Sequence, residues 1–346
     1  VFNILTSLIG FFDRRFILAY WSPVAVAAGA LAAIVALNRG IGGLLKRLAG
    51  LDAFSQIVLA VAVVVVISVL AYVLQALTWS VIRFFEGYAF PRRLRERMAA
   101  EQRARKPAPP ADDETVLDFN LEQSALYLYY PVDPDAVAPT RLGNALAAAE
   151  EYPRKVYSAD TALWWPRLSI VLPEEFAEQV DASLIPMIAL LNLSLAMGIV
   201  ALGGGGYLFA ASRGFGFVIP LLGGMLLAWM CYQAALSQAV GYGNFIRVAF
   251  DYYRHDVIDQ LGLPRPASLK AEHGFWQGMN QLLFNYAPPW QFPDGAADLV
   301  YARPPAGDGG DGGNGANAAS GQHQKADEKP HAEPAKAKKK GAKGHG

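Results

Sequence analysis

The sequence predicts a mainly α, polytopic helical membrane protein: four transmembrane helices in two hairpins, with a small α or α+β cytosolic domain between them. Three observations carry this. Charged residues make up 17% and hydrophobic residues 53% of the 346 residues, where soluble domains average roughly 25% charged. The shortfall is local: Phe16–Leu37, Gln56–Trp79, Leu184–Ala211 and Phe215–Ala239 contain no Asp, Glu, Lys, Arg or His. Each is long enough, at about 1.5 Å per residue, to cross a hydrocarbon core of about 30 Å. Finally, only Ser212, Arg213 and Gly214 separate the last two stretches, which makes them neighbours.

Residues 1–15 open the chain with an apolar segment too short to span. Leu5, Leu8, Ile9 and Phe12 share one helical face, so an interfacial helix is expected. Residues 16–79 form the first hairpin. Arg14, Arg15 and the run Ala30-Leu31-Ala32 resemble parts of a signal peptide. The apolar stretch exceeds a usual signal core, which favours a retained span. Ile41–Phe54 reads as a surface helix between the spans. The second span centres on Val61–Ile67, rich in β-branched residues. Its length excludes a strand, and in lipid a helix satisfies every backbone group internally.

Residues 80–113 continue that span as a helix to about Ala99 and end in a Pro-rich linker, Lys106–Asp113. Aromatic Phe84, Phe85 and Tyr88 precede Arg92, Arg93, Arg95 and Arg97. That order suits a membrane interface followed by anionic lipid headgroups. Residues 114–183 form the small cytosolic domain. Within it, Thr140 caps a helix to about Glu151, ended before Pro153; Lys155–Trp165 is expected to be extended. Trp164, Trp165 and Arg167 are the candidate interaction surface, with membrane-interface or core packing as the plainer reading. A helix from Pro173 leads into the second hairpin, residues 184–239.

Residues 240–302 form a cytosolic helical extension. Tyr242–Leu261 is helical, with Phe245, Val248, Ala249, Tyr252, Val257 and Leu261 along an apolar stripe, stopped by Gly262 and Pro264. Glu272–Tyr286 is a second helix. Residues 303–346 are Gly/Ala-rich and then Lys-rich, a composition that cannot bury a core.

Lys and Arg cluster on the side shared by the N-terminus and the middle segment (Arg14, Arg15, Arg83 and Arg92 to Lys106), with Arg39, Lys46, Arg47 and Arg213 opposite. The bias puts both termini in the cytoplasm. Short loops and a lone cysteine, Cys231, which allows no disulfide within the chain, are compatible with a prokaryotic cytoplasmic (inner) membrane.

Several function classes lose support. The net charge is +0, so the globally basic balance of a nucleic-acid binder is absent. Ion-coupled transporters and proton relays need ionisable groups inside the membrane, and the four stretches have none. Gly203, Gly204, Gly205, Gly206, Gly223 and Gly224 permit close helix packing, and Asn192 and Gln233 can bond across helices. Asp251, His255 and Asp259 recur on one helix face, but interleaved Arg254 and Asp256 make a charged face the plainer reading. His273 has no evident partner in the sequence. No catalytic or metal site and no cofactor is expected. The leading expectation is a membrane-anchored interaction or assembly protein. Its partners would be the lipid bilayer, anionic headgroups, and either a protein partner or a second copy of itself. A homo-oligomeric channel or facilitator using the third and fourth spans is the alternative, and an integral membrane enzyme the weakest.

Overall fold

A computed structural model describes residues 13–106, 127–211 and 214–285. The apolar N-terminal segment, most of the Pro-rich linker, Ser212 and Arg213, and the Gly/Ala/Lys-rich tail lie outside the described residues. Among the described residues all regular structure is helical and no strand occurs, so the α+β alternative finds no support there.

Among the described residues four helices are long and apolar enough to cross a membrane. They are α1 (Arg14–Arg39), α3 (Ala53–Ala76), α8 (Glu174–Ala211), and α9 (Val218–Gln260), which follows a 3-10 turn at Phe215–Phe217. Short α2 (Ile41–Ala49) joins α1 to α3, and α4 (Thr78–Glu86) follows α3. Asp52 caps α3, its carboxylate accepting from the Phe54 and Ser55 amides.

The expected helix through Ala99 breaks. Gly87, at φ +94°, ends α4 in a left-handed cap, and α5 (Arg92–Arg105) starts afresh after Pro91. A side chain at Gly87 would also meet Pro139 at 2.9 Å.

The segment after 140 departs further from expectation. Thr140 does cap α6 (Arg141–Tyr157), accepting from the Gly143 amide at 3.0 Å. The helix, however, runs through Pro153 to Tyr157. Pro153 removes one backbone donor, but Tyr157 is buried beyond it, and that packing carries the helix on. Ser158 closes α6 at φ 65°. The expected extended stretch, Lys155–Trp165, is instead the end of α6, a short link over 158–160 and the start of α7 (Thr161–Val171), capped by Asp160. Finally α10 (Leu269–Asn285) folds back after the stop at Gly262.

The core runs along the two longest helices, α8 and α9. In their apolar halves, Ala196, Met197 and Val200 of α8 pack against Ala27, Leu31 and Ile34 of α1. Further along, Val81 and Ile82 of α4, Leu142 and Leu146 of α6, Met187 and Leu191 of α8, and Ala235 and Ala239 of α9 form one cluster. At the charged ends, α6, α7, α9 and α10 share a third cluster around Trp164, Phe250, Ile258 and Trp276. The small domain expected at 114–183 therefore takes much of its core from residues 246–283. It is a shared helical body, which meets the size problem that a short independent segment would face.

Candidate functional site

The helical body is held by a polar network threaded through an aromatic core. Trp164 and Trp276 meet edge to face, with ring centroids 4.7 Å apart. Each indole N–H has an acceptor. Trp164 Nε1 donates to Asn280 Oδ1 at 2.7 Å, and Trp276 Nε1 donates to Glu272 Oε1 at 3.1 Å. Asn280 Nδ2 in turn donates to the Ser158 carbonyl at 2.7 Å, and Ser158 Oγ pairs with His273 Nδ1 at 2.9 Å. The left-handed Ser158 is thus fixed from α10, and His273 has a partner 115 residues away in sequence.

Glu272 is buried and bonds to Arg254 Nε at 2.6 Å. His255 Nε2 lies 3.4 Å from the same carboxylate oxygen. Burial pushes the Glu272 carboxyl up, but the bonds from Arg254 and Trp276 outweigh it and hold it below the usual carboxylate value. The Arg254 guanidinium sits 4.1 Å from the Tyr157 ring centroid. Asp251 accepts from Tyr152 at 2.9 Å and Tyr157 at 2.6 Å. Burial, and then donation to Asp251, raise both phenols above their ordinary value. Asp259 pairs with Arg265. The Asp251–His255–Asp259 face is therefore divided among three different sets of partners, and no metal-holding group of side chains occurs among the described residues.

Trp164 is a core residue, 1% exposed, and not part of a surface. Arg167 stacks on it, 5.5 Å from the ring centroid, and donates to the Leu163 carbonyl. Trp165 behaves differently. It is half-buried and meets Tyr242 edge to face at 6.3 Å. One helical turn on from Tyr242, Phe245 meets Phe176 at 5.9 Å; Phe176 meets Tyr253 at 5.2 Å; Tyr253 meets Tyr252 at 6.4 Å. Tyr252 is 76% exposed. The rings form a ladder in two sections across α7, α8 and α9, Trp165–Tyr242 and Phe245–Phe176–Tyr253–Tyr252, and the second ends in solvent. Exposed Glu174, Glu175 and Glu178 flank Phe176 on α8. The ladder also corrects the register of the stripe on α9. The buried residues are Ile246, Ala249, Phe250, Val257 and Ile258, whereas Val248, Tyr252 and Leu261 are exposed. The face turned toward α6 sets that register, and only Ala249 and Val257 belong to both sets.

Glycines of the apolar half occupy unequal positions. A Cβ at Gly224 would lie 2.8 Å from the Ala201 Cβ, one at Gly205 3.2 Å from the Leu221 Cβ, and one at Gly204 2.6 Å from the Ile34 Cδ1. Gly203 faces Leu31 at 3.7 Å, whereas Gly206 and Gly223 meet nothing within 4 Å. Asn192 donates to the Ala19 carbonyl at 2.8 Å. Ala19 lies in a π-helical turn, Ile17–Trp21, inside α1. Such a turn shifts backbone carbonyls out of the regular ladder, and here α8 supplies a donor. The same turn directs Trp21 Nε1 to Ser68 Oγ on α3, at 3.3 Å.

On α5, Arg92, Arg93 and Arg97 are exposed and Arg95 half-buried, while Arg92 pairs with Glu96 at 2.8 Å. The far end of α5 is tied down: Arg103 donates to the Pro134 carbonyl and Lys106 to the Val132 carbonyl. Gln233 is half-buried and lines a cavity of about 470 Å³ with Tyr232, Trp229 and Phe85.

Sequence reading missed the ladder because its rungs lie on three helices. Aromatic density near Tyr242–Tyr253 was the available signal. Comparison with family models, with curated proteins and with solved structures finds no match to this chain.

Proposed function

We propose that this protein is a membrane-anchored assembly protein that holds a partner protein on its helical body. In this reading the four apolar helices form two transmembrane hairpins, with both termini and the helical body on the cytoplasmic side of a prokaryotic inner membrane. The observation that supports it is the aromatic ladder from Trp165 to Tyr252. Half-exposed Tyr, Trp and Phe side chains give large contact area at low entropic cost, and such residues dominate interface hot spots. Tyr252 lies thirteen residues past Ala239, roughly 20 Å beyond the apolar stretch at about 1.5 Å per residue. It therefore stands clear of the bilayer. The carboxylates of Glu174, Glu175 and Glu178 favour a partner that brings apolar and basic side chains together.

The network beneath the ladder supports a binding role over a catalytic one. Its ionisable groups are committed to holding α6, α7, α9 and α10 together. The channel alternative draws less support. Gly204, Gly205 and Gly224 face neighbours within the chain, and Asn192 bonds to α1.

A photo-reactive residue at position 252, in the full chain extracted gently from its native membrane, tests the reading. One stoichiometric protein should cross-link there and not from position 265. Association should be lost with Tyr252→Asp, at a side chain 76% exposed, while the variant keeps its melting temperature. Cross-linking only to further copies of this chain, or association unchanged by that substitution, would remove the reading.

A further inference from the structure

The geometry points to a built site for one anionic phospholipid between α4, α5, α6 and α9. This rests on the apolar half of α9 lying in a bilayer and is independent of the partner surface. The cavity of about 470 Å³ has a wall of Phe84, Phe85 and Phe90 facing Trp229 and Tyr232 of α9. Trp229 is 58% exposed and Phe84 41%, so the chamber opens sideways. Trp229 lies ten residues before Ala239, about 15 Å inside the apolar stretch at about 1.5 Å per residue. An acyl chain can enter there from the surrounding leaflet.

Arg141 lines this chamber and also a second cavity of about 380 Å³, together with Arg105, Tyr129 and Tyr130. Among the described residues neither Arg105 nor Arg141 has a hydrogen-bond or ion-pair partner. Elsewhere in the molecule, Arg15, Arg92, Arg254 and Arg265 each hold a carboxylate. Arg141 is the first residue of α6, whose positive dipole end adds to its charge. Two unpaired guanidinium groups suit a phosphodiester, which accepts their forked donors.

Chemistry alone would admit a soluble phosphate. The adjoining apolar chamber, open toward the leaflet, selects a phosphate that carries acyl chains. The site also differs from Arg92, Arg93 and Arg97, exposed nearer the start of α5. Those offer charge to a membrane surface but border no such chamber.

Native mass spectrometry of the full chain in lipid-free detergent, titrated with phosphatidylglycerol or phosphatidylcholine, tests this. Phosphatidylglycerol should bind preferentially, and a short-chain form of it should bind more weakly. Arg105→Gln/Arg141→Gln should weaken phosphatidylglycerol binding by roughly tenfold or more, the loss of at least one charge-assisted hydrogen bond. Arg92→Gln/Arg93→Gln should change it less than about twofold, since Arg92 is already held by Glu96 and neither side chain borders the two cavities. Both double variants should keep the unliganded melting temperature, because none of the four side chains is buried. Equal loss in the two variants would leave only general surface attraction and overturn the proposal. So would equal binding of phosphatidylcholine, or displacement of the lipid by millimolar glycerol phosphate, which would mark a soluble-anion site.

Discussion

The apolar half and the helical body solve the same packing problem by different means. In the apolar half, 44% of the most apolar stretch of α8 is buried inside the protein, against 6% for α3. α3 shows Val58, Val63, Val66, Val69 and Val73 outward. In water so much exposed apolar surface would mark an interaction site or an aggregation hazard. In lipid, tails are as apolar as valine, so contacts between helices rely on close approach and a few hydrogen bonds. The glycines against Ala201 and Ile34, and Asn192 on the Ala19 carbonyl, are those devices. The helical body relies on buried aromatics and paired polar groups. It buries two tryptophans and an Arg–Glu pair, and it gives both indole N–H groups and both charges a partner. Polar contacts are few and isolated in the first region, even where Asn192 reaches Ala19 across 173 residues, and are joined into a network in the second. Substitutions should therefore have different costs in the two halves.

The largest effect should come from Glu272→Ala in the body. It leaves the Arg254 guanidinium, 15% exposed in its side chain, without its carboxylate, and strips the acceptor from Trp276. Breaking one side of a buried pair costs about 3–5 kcal/mol. Denaturant unfolding followed by tryptophan fluorescence should show a loss of that order. Glu272→Gln, which can still accept, should cost less. The pH dependence has a definite sign. The folded carboxyl lies below its ordinary value, so its contribution is complete above the unfolded pKa of about 4.3. It disappears as pH falls through the folded value. The variant should therefore lack part of the acid-induced loss of stability below about pH 4.3.

A smaller cost should attend Gly224→Leu in the apolar half. The obstruction is Ala201, whose Cα and N lie at 3.0 and 3.1 Å from the new Cβ, so backbone must move. Overpacking of this kind costs about 1–3 kcal/mol. Gly204→Ala clashes with the Ile34 Cδ1 alone, the far end of a side chain that can rotate, its other neighbours standing at 3.8 Å, and Gly223→Ala meets nothing within 4 Å. Thermal unfolding in detergent should rank the three in that order. Equal effects at 223 and 224 would show that intrachain packing is not what these glycines serve.

The sequence made the apolar half the more legible of the two. Absence of charge over a spanning length is a local property, and the four helices stand where that property placed them. The π-helical turn at Ile17–Trp21 left no local mark, and its hydrogen-bond partner, Asn192, is on another helix. In the body, local signals misled. Pro153 read as a helix end and Lys155–Trp165 as extended, yet Pro153 and Pro166 both lie inside helices, overridden by burial of Tyr157, Trp164 and Leu168. His273 has a partner that only the fold brings near, and Tyr252 joined a stripe it does not belong to. Networks with partners far apart in the chain are legible only once the fold is known.

The last difference between the halves lies at their junction, where α4 meets α6. Glu86 is half-buried at the end of α4, with no hydrogen bond to its carboxylate among the described residues. Burial, and then the neighbouring charge of Glu150, raise its carboxyl above the ordinary value; Arg83 offsets only part of this. The sign is opposite to that at Glu272. A carboxyl whose folded pKa is raised brings no penalty below the unfolded pKa of about 4.3. Its penalty grows as pH rises toward the folded value and is complete above it. Glu86→Gln removes the charge and keeps the shape, so it should stabilise the protein modestly at pH 7. The gain should shrink on acidification and vanish below about pH 4.3. Melting temperature against pH for the two proteins gives the answer: curves that converge in acid place the strain at Glu86, and parallel curves would remove the charge from the explanation.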